Sequence, residues 1–368
     1  MAHVRLPIVG PEWGRDSSDS PADLRSRGTL QFDGGASVLD AYARPLLDLR
    51  ISVTDRCNFR CGYCMPKSVF GPGFEFLPRA SILSFEEIAR VAKVFVGQGV
   101  RKLRLTGGEP LLRRDLPSLI EMLAPLGVDL ALTTNGSLLV EQAARLRAAG
   151  LGRITVSLDA LEDAVFRRMS DAEFPVARVL DGISAALAHG FGVKVNCVVQ
   201  RGVNEDQIAP LARYFKGSPV AVRFIEFMDV GNHNAWNRER VVPADQIVQR
   251  IARESALERV TEEAFAGVAK RWQYADGSGE IGVISSVTQP FCGDCSRARL
   301  SAEGKLYTCL FATDARFDFR QALRGGTSDE QLAAAVRALW SGRADRYSEL
   351  RQEGATSRPK IEMSYIGG

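Results

Sequence analysis

Histidine, long apolar runs and an excess of one charge sign are all scarce in this chain. Only three histidines, His3, His189 and His233, occur in 368 residues, which disfavours a histidine-based metal site. A net charge of +3 is too small to indicate a general nucleic-acid surface. No apolar run approaches the roughly 18 residues of a membrane-spanning helix, and the N-terminus has no apolar signal-peptide core. We therefore expect neither nucleic acid nor membrane as a partner.

Cysteine is present seven times, and six of the seven fall in two tight groups. The first group is Cys57, Cys61 and Cys64, and the second is Cys292, Cys295 and Cys309. This grouping does not fit a disulfide framework, so we expect ligand thiols in a reducing, cytoplasmic setting. The seventh, Cys197, lies in an apolar run and is predicted to belong to the core.

Each group supplies three thiolates without a fourth. A structural zinc site takes four protein ligands, whereas the four irons of an iron–sulfur cube normally bind one cysteine each. Three cysteines therefore leave one iron open to a non-protein ligand. A zinc site completed by a remote side chain is the alternative for either group. A redox pair is a further alternative for Cys292 and Cys295, but it would leave Cys309 unexplained.

An alternation of strand-like and helical patterns begins near residue 47, which predicts an α/β fold with a parallel sheet. Ser84 followed by Glu87 predicts a capping box at the start of the first helix. The predicted architecture is an incomplete parallel (βα)6 barrel of the TIM type over residues 41–240. A disordered extension at 1–40 precedes it, and a C-terminal module at 241–368 follows it. The six strand-like runs are 47–54, 102–106, 128–134, 154–158, 193–199 and 220–227.

Polar residues follow these strands at their C-terminal ends, where barrels of this class collect their functional groups. The first cysteine group follows the first strand, and the sequence GGEP at 107–110 follows the second. We expect these positions to face one mouth. The other rim residues are Thr106, Thr133, Thr134, Asn135, Gly136, Ser157, Asp159, Glu226 and Met228.

Four arginines are candidates for phosphate recognition. Arg297 and Arg299 flank Ala298 close to the second cysteine group, and on a strand they project to the same face. Arg50 and Arg104 lie within the first two strands. Arginine suits bidentate phosphate binding, although a solvated, charged strand face is the alternative for each of them. Four such cations near one mouth would suit a triphosphate.

The spacing Cys-x3-Cys-x2-Cys after a first strand, followed by GGEP after a second, resembles the radical S-adenosylmethionine superfamily. The run FCGDCSRAR at 291–299 with the later Cys309 resembles one branch of it, the GTP 3′,8-cyclases of molybdenum-cofactor biosynthesis. This second resemblance extends from about residue 48 to the C-terminus.

The resemblance implies two [4Fe–4S] clusters, one on each cysteine group, and S-adenosylmethionine as a further cofactor. It also implies that a Gly-Gly end, Gly367 and Gly368, inserts toward the active site and acts there together with Arg297 and Arg299; the residues alone favour a frayed tail. The residues implied to contact S-adenosylmethionine are Tyr63, Gly108, Glu109, Ser157 and Met228. Those implied to contact GTP are Arg50, Arg104, Thr133, Lys194, Arg297, Ala298 and Arg299.

The implied reaction converts GTP to 3′,8-cyclo-7,8-dihydro-GTP, with an electron donor and a downstream cyclic pyranopterin monophosphate synthase as partners; a homodimer is left open. One alternative is another radical S-adenosylmethionine enzyme with an auxiliary cluster, for instance one that modifies a peptide. The Arg297 and Arg299 pair and the Gly-Gly end disfavour it, because a peptide substrate would not require them. A second alternative is a non-catalytic zinc protein or nucleic-acid binder, in which iron and sulfide would be absent.

Overall fold

The computed structural model describes residues 31–32, 35–261, 267–351 and 359–367. Of the predicted extension at 1–40, residues 1–30 and 33–34 lie outside this description, as does Gly368. Gln31–Phe32 pairs with Gly35–Ala36 in a short antiparallel ladder. Ser37 and Asp40 are buried, so the end of the extension is part of the packed structure.

One sheet of twelve strands organises the described part of the chain. Its order is β12-β11-β10-β1-β2-β3-β4-β5-β6-β9-β8-β7. The strands are β1 (Asp48–Ser52), β2 (Lys102–Thr106), β3 (Asp129–Thr134), β4 (Arg153–Ser157), β5 (Gly192–Val199), β6 (Ala221–Glu226), β7 (Leu257–Arg259), β8 (Lys270–Tyr274), β9 (Glu280–Ile284), β10 (Arg297–Leu300), β11 (Lys305–Tyr307) and β12 (Phe317–Asp318).

The six predicted strands are β1 to β6, and all of their pairings are parallel, so the predicted α/β class is confirmed. The C-terminal residues extend this array at both edges. Strand β10 adds in parallel to β1, and β9 adds in parallel to β6. Antiparallel partners then flank each of the two added strands. The connection 285–296 between β9 and β10 therefore runs from one edge of the parallel array to the other, and it carries Cys292 and Cys295.

Helices cover one face of the sheet. They are α1 (Phe85–Val96), α2 (Leu116–Leu123), α3 (Leu139–Ala148), α4 (Asp163–Ser170), α5 (Val176–Ala188), α6 (Ile208–Phe215), α7 (Ala244–Ala252), α8 (Phe319–Arg324), α9 (Asp329–Ser341) and α10 (Tyr347–Leu350). The capping box of α1 is confirmed, because the Ser84 hydroxyl accepts from Glu87 N at 3.2 Å and the Glu87 carboxylate accepts from Ser84 N at 2.8 Å. No helix among these is long and apolar enough to span a bilayer.

Strand alternation separates an apolar face from a polar one. In β1, Leu49 and Ile51 are fully buried in the core that the helices cover. Burying such side chains contributes about 1.5–3 kcal/mol each. Asp48, Arg50 and Ser52 point to the opposite face, which is the interior of the incomplete barrel. The residues of this polar interior are therefore placed by the same alternation that builds the core.

Glu226 does not face the mouth, contrary to the expectation from its place at the end of β6. Its buried carboxylate accepts from Ala244 N at 2.8 Å and from Val287 N and Thr288 N at 2.9 Å each. It thus fixes the start of α7 and the beginning of the 285–296 connection. The physical reason is the twofold period of a strand, because Arg223 points inward and Glu226, three residues later, must point outward.

Candidate active site

The first cysteine group lies in the loop that follows β1. All three thiols are free, and Cys64 N and Met65 N donate to the Cys61 carbonyl at 2.9 and 2.8 Å. Burial, followed by the Glu109 carboxylate, raises the pKa of the Cys57 thiol to about 11. Burial also raises the pKa of Cys61 and Cys64, and neighbouring thiols add to both shifts.

These shifts show what the loop requires of a bound group. Three thiolates in one buried place repel each other, so a positively charged centre must accompany them. An iron–sulfur cluster supplies that charge, and the residues present fit it in number and type. Among the described residues, no three or more His, Cys, Asp or Glu side chains are arranged around a single ion position.

The GGEP segment packs directly on the loop that carries these thiols. Gly108 N donates to the Thr54 carbonyl at 2.8 Å, and Glu109 N donates to the Arg56 carbonyl at 2.8 Å. A side chain at Gly108 would overlap the Arg56 carbonyl, so only glycine permits this approach. The ends of β1 and β2 are thereby joined into one surface.

Glu109 is fully buried below that surface. Its carboxylate accepts from the Thr134 hydroxyl at 2.7 Å, from Asn135 N at 2.7 Å and from Leu111 N at 3.0 Å. Burial raises the pKa of this carboxyl to about 7 despite these bonds. A carboxylate has about four acceptor positions, so three donors leave room for one more. A ligand ammonium group would fit this remaining position.

Tyr63 links the cysteine loop to the end of β4. Its hydroxyl donates to Asp159 at 2.8 Å, and Val198 N donates to the other carboxylate oxygen at 2.8 Å. Burial raises the pKa of Asp159 to about 6, and the bond from Tyr63 opposes that rise.

We expect the substitution Tyr63→Phe to destabilise the protein more at pH 8 than at pH 5. Above the Asp159 pKa the lost bond is charge-assisted, whereas below it the acid is neutral. Losing the hydroxyl removes a bond that favours the ionised carboxylate, so the folded-state pKa of Asp159 rises further above its value in the unfolded chain. The folded wild type releases this proton as pH rises through about 6, whereas the folded variant still holds it, so the variant loses stability relative to wild type over that range. Urea unfolding of the cluster-free protein at both pH values measures the difference, which we expect to reach about 1–3 kcal/mol at pH 8.

Tyr274→Phe is the matched control for this prediction. The Tyr274 hydroxyl donates to the Ala212 carbonyl at 3.2 Å, and this acceptor does not titrate. Its loss should therefore cost the same at both pH values. A Tyr63→Phe loss that is equally independent of pH would contradict the role given to Asp159.

Ser157 and Met228 occupy the rim as expected. Ser157 ends β4 directly opposite Asn196 on β5. Met228 lies two residues beyond β6, and its carbonyl accepts from the Asn234 side chain at 2.8 Å. Both residues are half-buried, so their side chains remain accessible at the C-terminal edge of the sheet.

Three arginines stand side by side in the barrel interior. In the register of the sheet, Arg299 on β10 is opposite Arg50 on β1, and Arg50 is opposite Arg104 on β2. We call these residues the arginine row. Like charges on adjacent strands destabilise a sheet unless something else compensates them. Arg297 lies two residues before Arg299 on β10, and it is opposite Asp48 on β1.

The arginine row lacks enough protein partners within the described part of the chain. Burial lowers the pKa of Arg50 well below its usual range, and Arg299 and Arg297 lower it further; Asp48 compensates only in part. Burial also lowers the pKa of Arg299 to about 10. In the barrel interior, the Nε atoms of Arg50, Arg104, Arg223 and Arg297 are buried without a hydrogen-bond partner among the described residues. Buried donors of this kind indicate a missing polyanion.

The remaining predicted residues of the interior are placed as follows. Arg104 donates to the hydroxyls of Thr133 and Thr155 at 3.1 Å each. Lys194 lies opposite Thr155, and burial, followed by the charge of Arg223, lowers the pKa of Lys194 to about 8. Ala298 points to the opposite face, into the core, so only its backbone can meet a ligand in the interior.

Arg223 was missed by the sequence analysis. It lies in β6 opposite Asn196, and burial lowers its pKa to about 9. A signal existed, because Arg223 interrupts an apolar strand in the same manner as Arg50 and Arg104.

The second cysteine group adjoins the base of β10. Cys292 begins a short 3-10 turn (Cys292–Asp294), and Cys309 follows β11. Burial raises the pKa of Cys309 to about 12. Burial alone would also raise the pKa of Cys295, but Arg297 and Arg343 outweigh it and lower the value to about 6. This environment favours a thiolate, as a metal ligand requires.

The C-terminal segment enters the barrel interior. Ile366 is fully buried, and the Gly367 carbonyl accepts a hydrogen bond from Arg299. Gly367 has a φ of +69°, and a side chain there would overlap Thr106. Glu362 anchors the segment by accepting from Asn232 N at 3.0 Å, and its carboxylate lies 2.9 Å from His233 Nδ1. Glycine is therefore the residue that fits at position 367.

Two protein-family models match this chain. The model described as the Radical SAM superfamily matches residues 51–215, and the model described as Molybdenum Cofactor Synthesis C matches residues 220–349. Together they include both cysteine groups and, of the arginine row, Arg104 and Arg299, while Arg50 directly precedes the first matched residue.

Curated relatives support the same grouping. The GTP 3′,8-cyclase of Acidothermus cellulolyticus is 50% identical over 359 residues, which cover 90% of this chain and 99% of that protein. The GTP 3′,8-cyclase of Staphylococcus saprophyticus is 50% identical over 336 residues, with the same coverage of 90% and 99%.

Solved structures of Streptococcus suis SuiB share the fold. SuiB bound to its precursor peptide SuiA has a TM-score of 0.57 and 15% identity, and it covers 97% of this chain and 83% of its own. SuiB bound to S-adenosylmethionine has a TM-score of 0.55 at 15% identity, with coverage of 90% and 77%. At this identity the likeness concerns the fold alone.

Proposed function

Because the chain belongs to the GTP 3′,8-cyclase family of radical S-adenosylmethionine enzymes, we propose that its two cysteine groups and its arginine row carry out the reaction of that family. The protein converts GTP to 3′,8-cyclo-7,8-dihydro-GTP in molybdenum-cofactor biosynthesis. Its cofactors are S-adenosylmethionine and [4Fe–4S] clusters. The roles of individual residues are the proposal.

Cys57, Cys61 and Cys64 hold the first cluster, and Cys292, Cys295 and Cys309 hold the second. The first cluster and S-adenosylmethionine, held by these residues, would supply the radical chemistry for hydrogen abstraction at carbon 3′ of the GTP ribose. The residues that bind S-adenosylmethionine are Tyr63, Gly108, Glu109, Ser157 and Met228. Glu109 supports this assignment best, because it offers a buried carboxylate with one acceptor position left.

The observation that carries the substrate assignment is the group of interior arginines, because the Nε atoms of Arg50, Arg104 and Arg297 are buried without a partner in the described structure. A triphosphate supplies the negative charge that these cations lack, and bidentate bonds would fix its orientation. The GTP-binding residues are Arg50, Arg104, Thr133, Lys194, Arg297, Arg299 and the backbone of Ala298. Holding the triphosphate fixes the ribose, so the reacting carbon stays within reach of the cofactor.

Gly367 lines this site. Gly367 lies against Arg299 and Thr106, where a side chain would take up space within the barrel. We assign to Gly367 and Gly368 the role of positioning Arg299 toward the substrate and of excluding water. Water exclusion matters, because the intermediate is a radical.

Several wider assignments accompany this proposal. An external electron donor reduces the clusters, and a cyclic pyranopterin monophosphate synthase consumes the product. The six cluster thiols need a reducing compartment, which supports a cytoplasmic location. The barrel takes residues 41–240 and the cluster-bearing module takes residues 241–368. A homodimer is compatible with these assignments and is open to a sedimentation measurement.

Deuterium transfer tests the proposed reaction directly. We expect anaerobically reconstituted protein, given reductant, S-adenosylmethionine and GTP deuterated at ribose carbon 3′, to yield 5′-deoxyadenosine that contains deuterium. Mass spectrometry detects the transfer. Formation of 5′-deoxyadenosine without deuterium would support the radical chemistry but contradict hydrogen abstraction at carbon 3′. GTP deuterated at carbon 2′ serves as the control and should transfer none.

A further inference from the structure

A buried ion triad lies beside the second cysteine group. It consists of Asp40, Arg44 and Arg343, whose side chains are at most 1% exposed. One oxygen of Asp40 accepts from Arg44 Nε at 2.6 Å and from Arg343 Nη1 at 2.8 Å. The other oxygen accepts from the backbone N of Tyr42 and of Arg44 at 2.9 and 3.0 Å. The triad by itself carries two positive charges and one negative charge, and the Asp345 carboxylate lies 3.5 Å from Arg343 Nε.

The two guanidiniums also donate to the loops that carry the thiols, and Arg44 Nη1 donates in addition to the Asp345 carbonyl at 2.8 Å. Arg44 Nη1 donates to the Cys292 carbonyl at 2.7 Å. Arg343 Nη1 donates to the Cys295 carbonyl at 2.9 Å, and Arg343 Nε donates to the Thr308 carbonyl at 3.1 Å. Thr308 directly precedes Cys309. Each of the three ligand positions is thus held by a hydrogen bond from one of two buried arginines.

Arg44 retains a donor that nothing else in the described structure uses. Its Nη2 atom is buried and has no hydrogen-bond partner among the described residues. A buried, unpaired N–H is costly, so a bound acceptor is its natural explanation. Sulfur atoms of a cluster held by the neighbouring thiols would accept such a bond and would also gain from the positive charge.

A purely structural role, in which the three charged side chains only hold the fold together, explains the triad less well. Apolar residues of similar volume stabilise a core as well as or better than buried ions do, so ions need a further reason. Trp340 already links the same two segments through a neutral hydrogen bond, because its Nε1 donates to the Arg44 carbonyl at 3.0 Å. The Trp340 side chain makes none of the bonds to the Cys292, Cys295 and Thr308 carbonyls that the two arginines make.

We propose that Asp40, Arg44 and Arg343 position the second cysteine group for cluster binding and that the two arginines make the reduction potential of that cluster less negative. The inference rests on the proposed assignment of the second cluster to Cys292, Cys295 and Cys309. Asp40 holds the two guanidiniums together, because one of its oxygens accepts from both. Arg343 is the central positioning residue, since it holds two of the three ligand positions.

Variants at Arg343 test the proposal in the full-length, anaerobically reconstituted protein. We expect about eight irons per chain in the wild type and about four in Arg343→Met, as one cube has four. Cleavage of S-adenosylmethionine by the first cluster should persist in Arg343→Met, which shows that the barrel is folded. Any second cluster that is retained should have a more negative midpoint in an EPR-monitored redox titration. Arg343→Lys keeps the charge, so it should keep the midpoint and recover part of the iron.

Trp340→Phe separates positioning from a general loosening of the same region. It removes a neighbouring hydrogen bond and leaves every donor to the ligand carbonyls, so its iron content should stay near eight. Equal iron loss in Trp340→Phe would overturn the proposal. Full iron and an unchanged midpoint in Arg343→Met would overturn it as well, while the two-cluster assignment would stand. Only about four irons in the wild type would instead reject both the second cluster and the role of the triad.

Discussion

The substitution Cys292→Ala is expected to abolish cyclisation of GTP while S-adenosylmethionine is still cleaved. The first cysteine group follows β1, whereas the second has two members before β10 and one after β11, so losing a ligand of the second group leaves the first intact. Bound iron should fall from about eight to about four per chain. We expect product formation to fall at least about 10³-fold, because substrate positioning alone can supply more than this factor. Iron analysis and chromatography of product and 5′-deoxyadenosine measure the three quantities.

Cys197→Ala is the matched control for Cys292→Ala. Cys197 is a free thiol of the core, and it lies 3.6 Å from the Asp159 carbonyl. Its loss should leave the iron content and the ratio of product to 5′-deoxyadenosine unchanged. Normal product formation by Cys292→Ala would refute the role proposed for the second cluster. Parallel loss of 5′-deoxyadenosine in that variant would instead indicate that the two groups fold as one unit.

The central fold could be predicted because its signals are local. Apolar alternation and helix capping lie within a few residues of each other, and β1 to β6 begin and end within one or two residues of the predicted runs. The added edge strands could not be predicted in this way. Pairing of β10 with β1 joins residues about 250 positions apart, and no local pattern encodes that register.

The residues of the candidate site also divide into those with a local sequence signal and those brought together by long-range contacts. The thiol spacings and the arginines within strands are short-range features, so the sequence revealed them. The triad of Asp40, Arg44 and Arg343 joins positions 303 residues apart, and its members look like ordinary charged surface residues in sequence. Glu226 is the opposite case. Its position at the end of β6 predicted that it faces the mouth, but it lies three residues after the inward-facing Arg223, so its side chain points to the other face.

Replacing Arg50 by methionine should weaken GTP binding and stabilise the GTP-free protein. Arg50 lies between two other arginines of the row, and its Nε is buried without a partner in the described structure. Removing such a charge relieves repulsion, and we expect about 1 kcal/mol of added stability, or roughly 2–4 °C in melting temperature. GTP affinity should fall by about 100-fold, as two charge-assisted hydrogen bonds to phosphate would be lost. Affinity for S-adenosylmethionine should not change.

Arg153→Met is the control for Arg50→Met, because it should change stability in the opposite direction and leave GTP affinity nearly unchanged. Arg153 also faces the interior, from β4, but its Nε donates to Asp129 at 2.8 Å. Losing that partner leaves the carboxylate under-compensated, so the melting temperature should fall and GTP affinity should change little. Calorimetric titration and thermal unfolding of both variants give the four values. A lower melting temperature with unchanged GTP affinity in Arg50→Met would make Arg50 a structural cation. Opposite signs in the two properties are expected only where the protein keeps an unfavourable charge for the sake of its substrate.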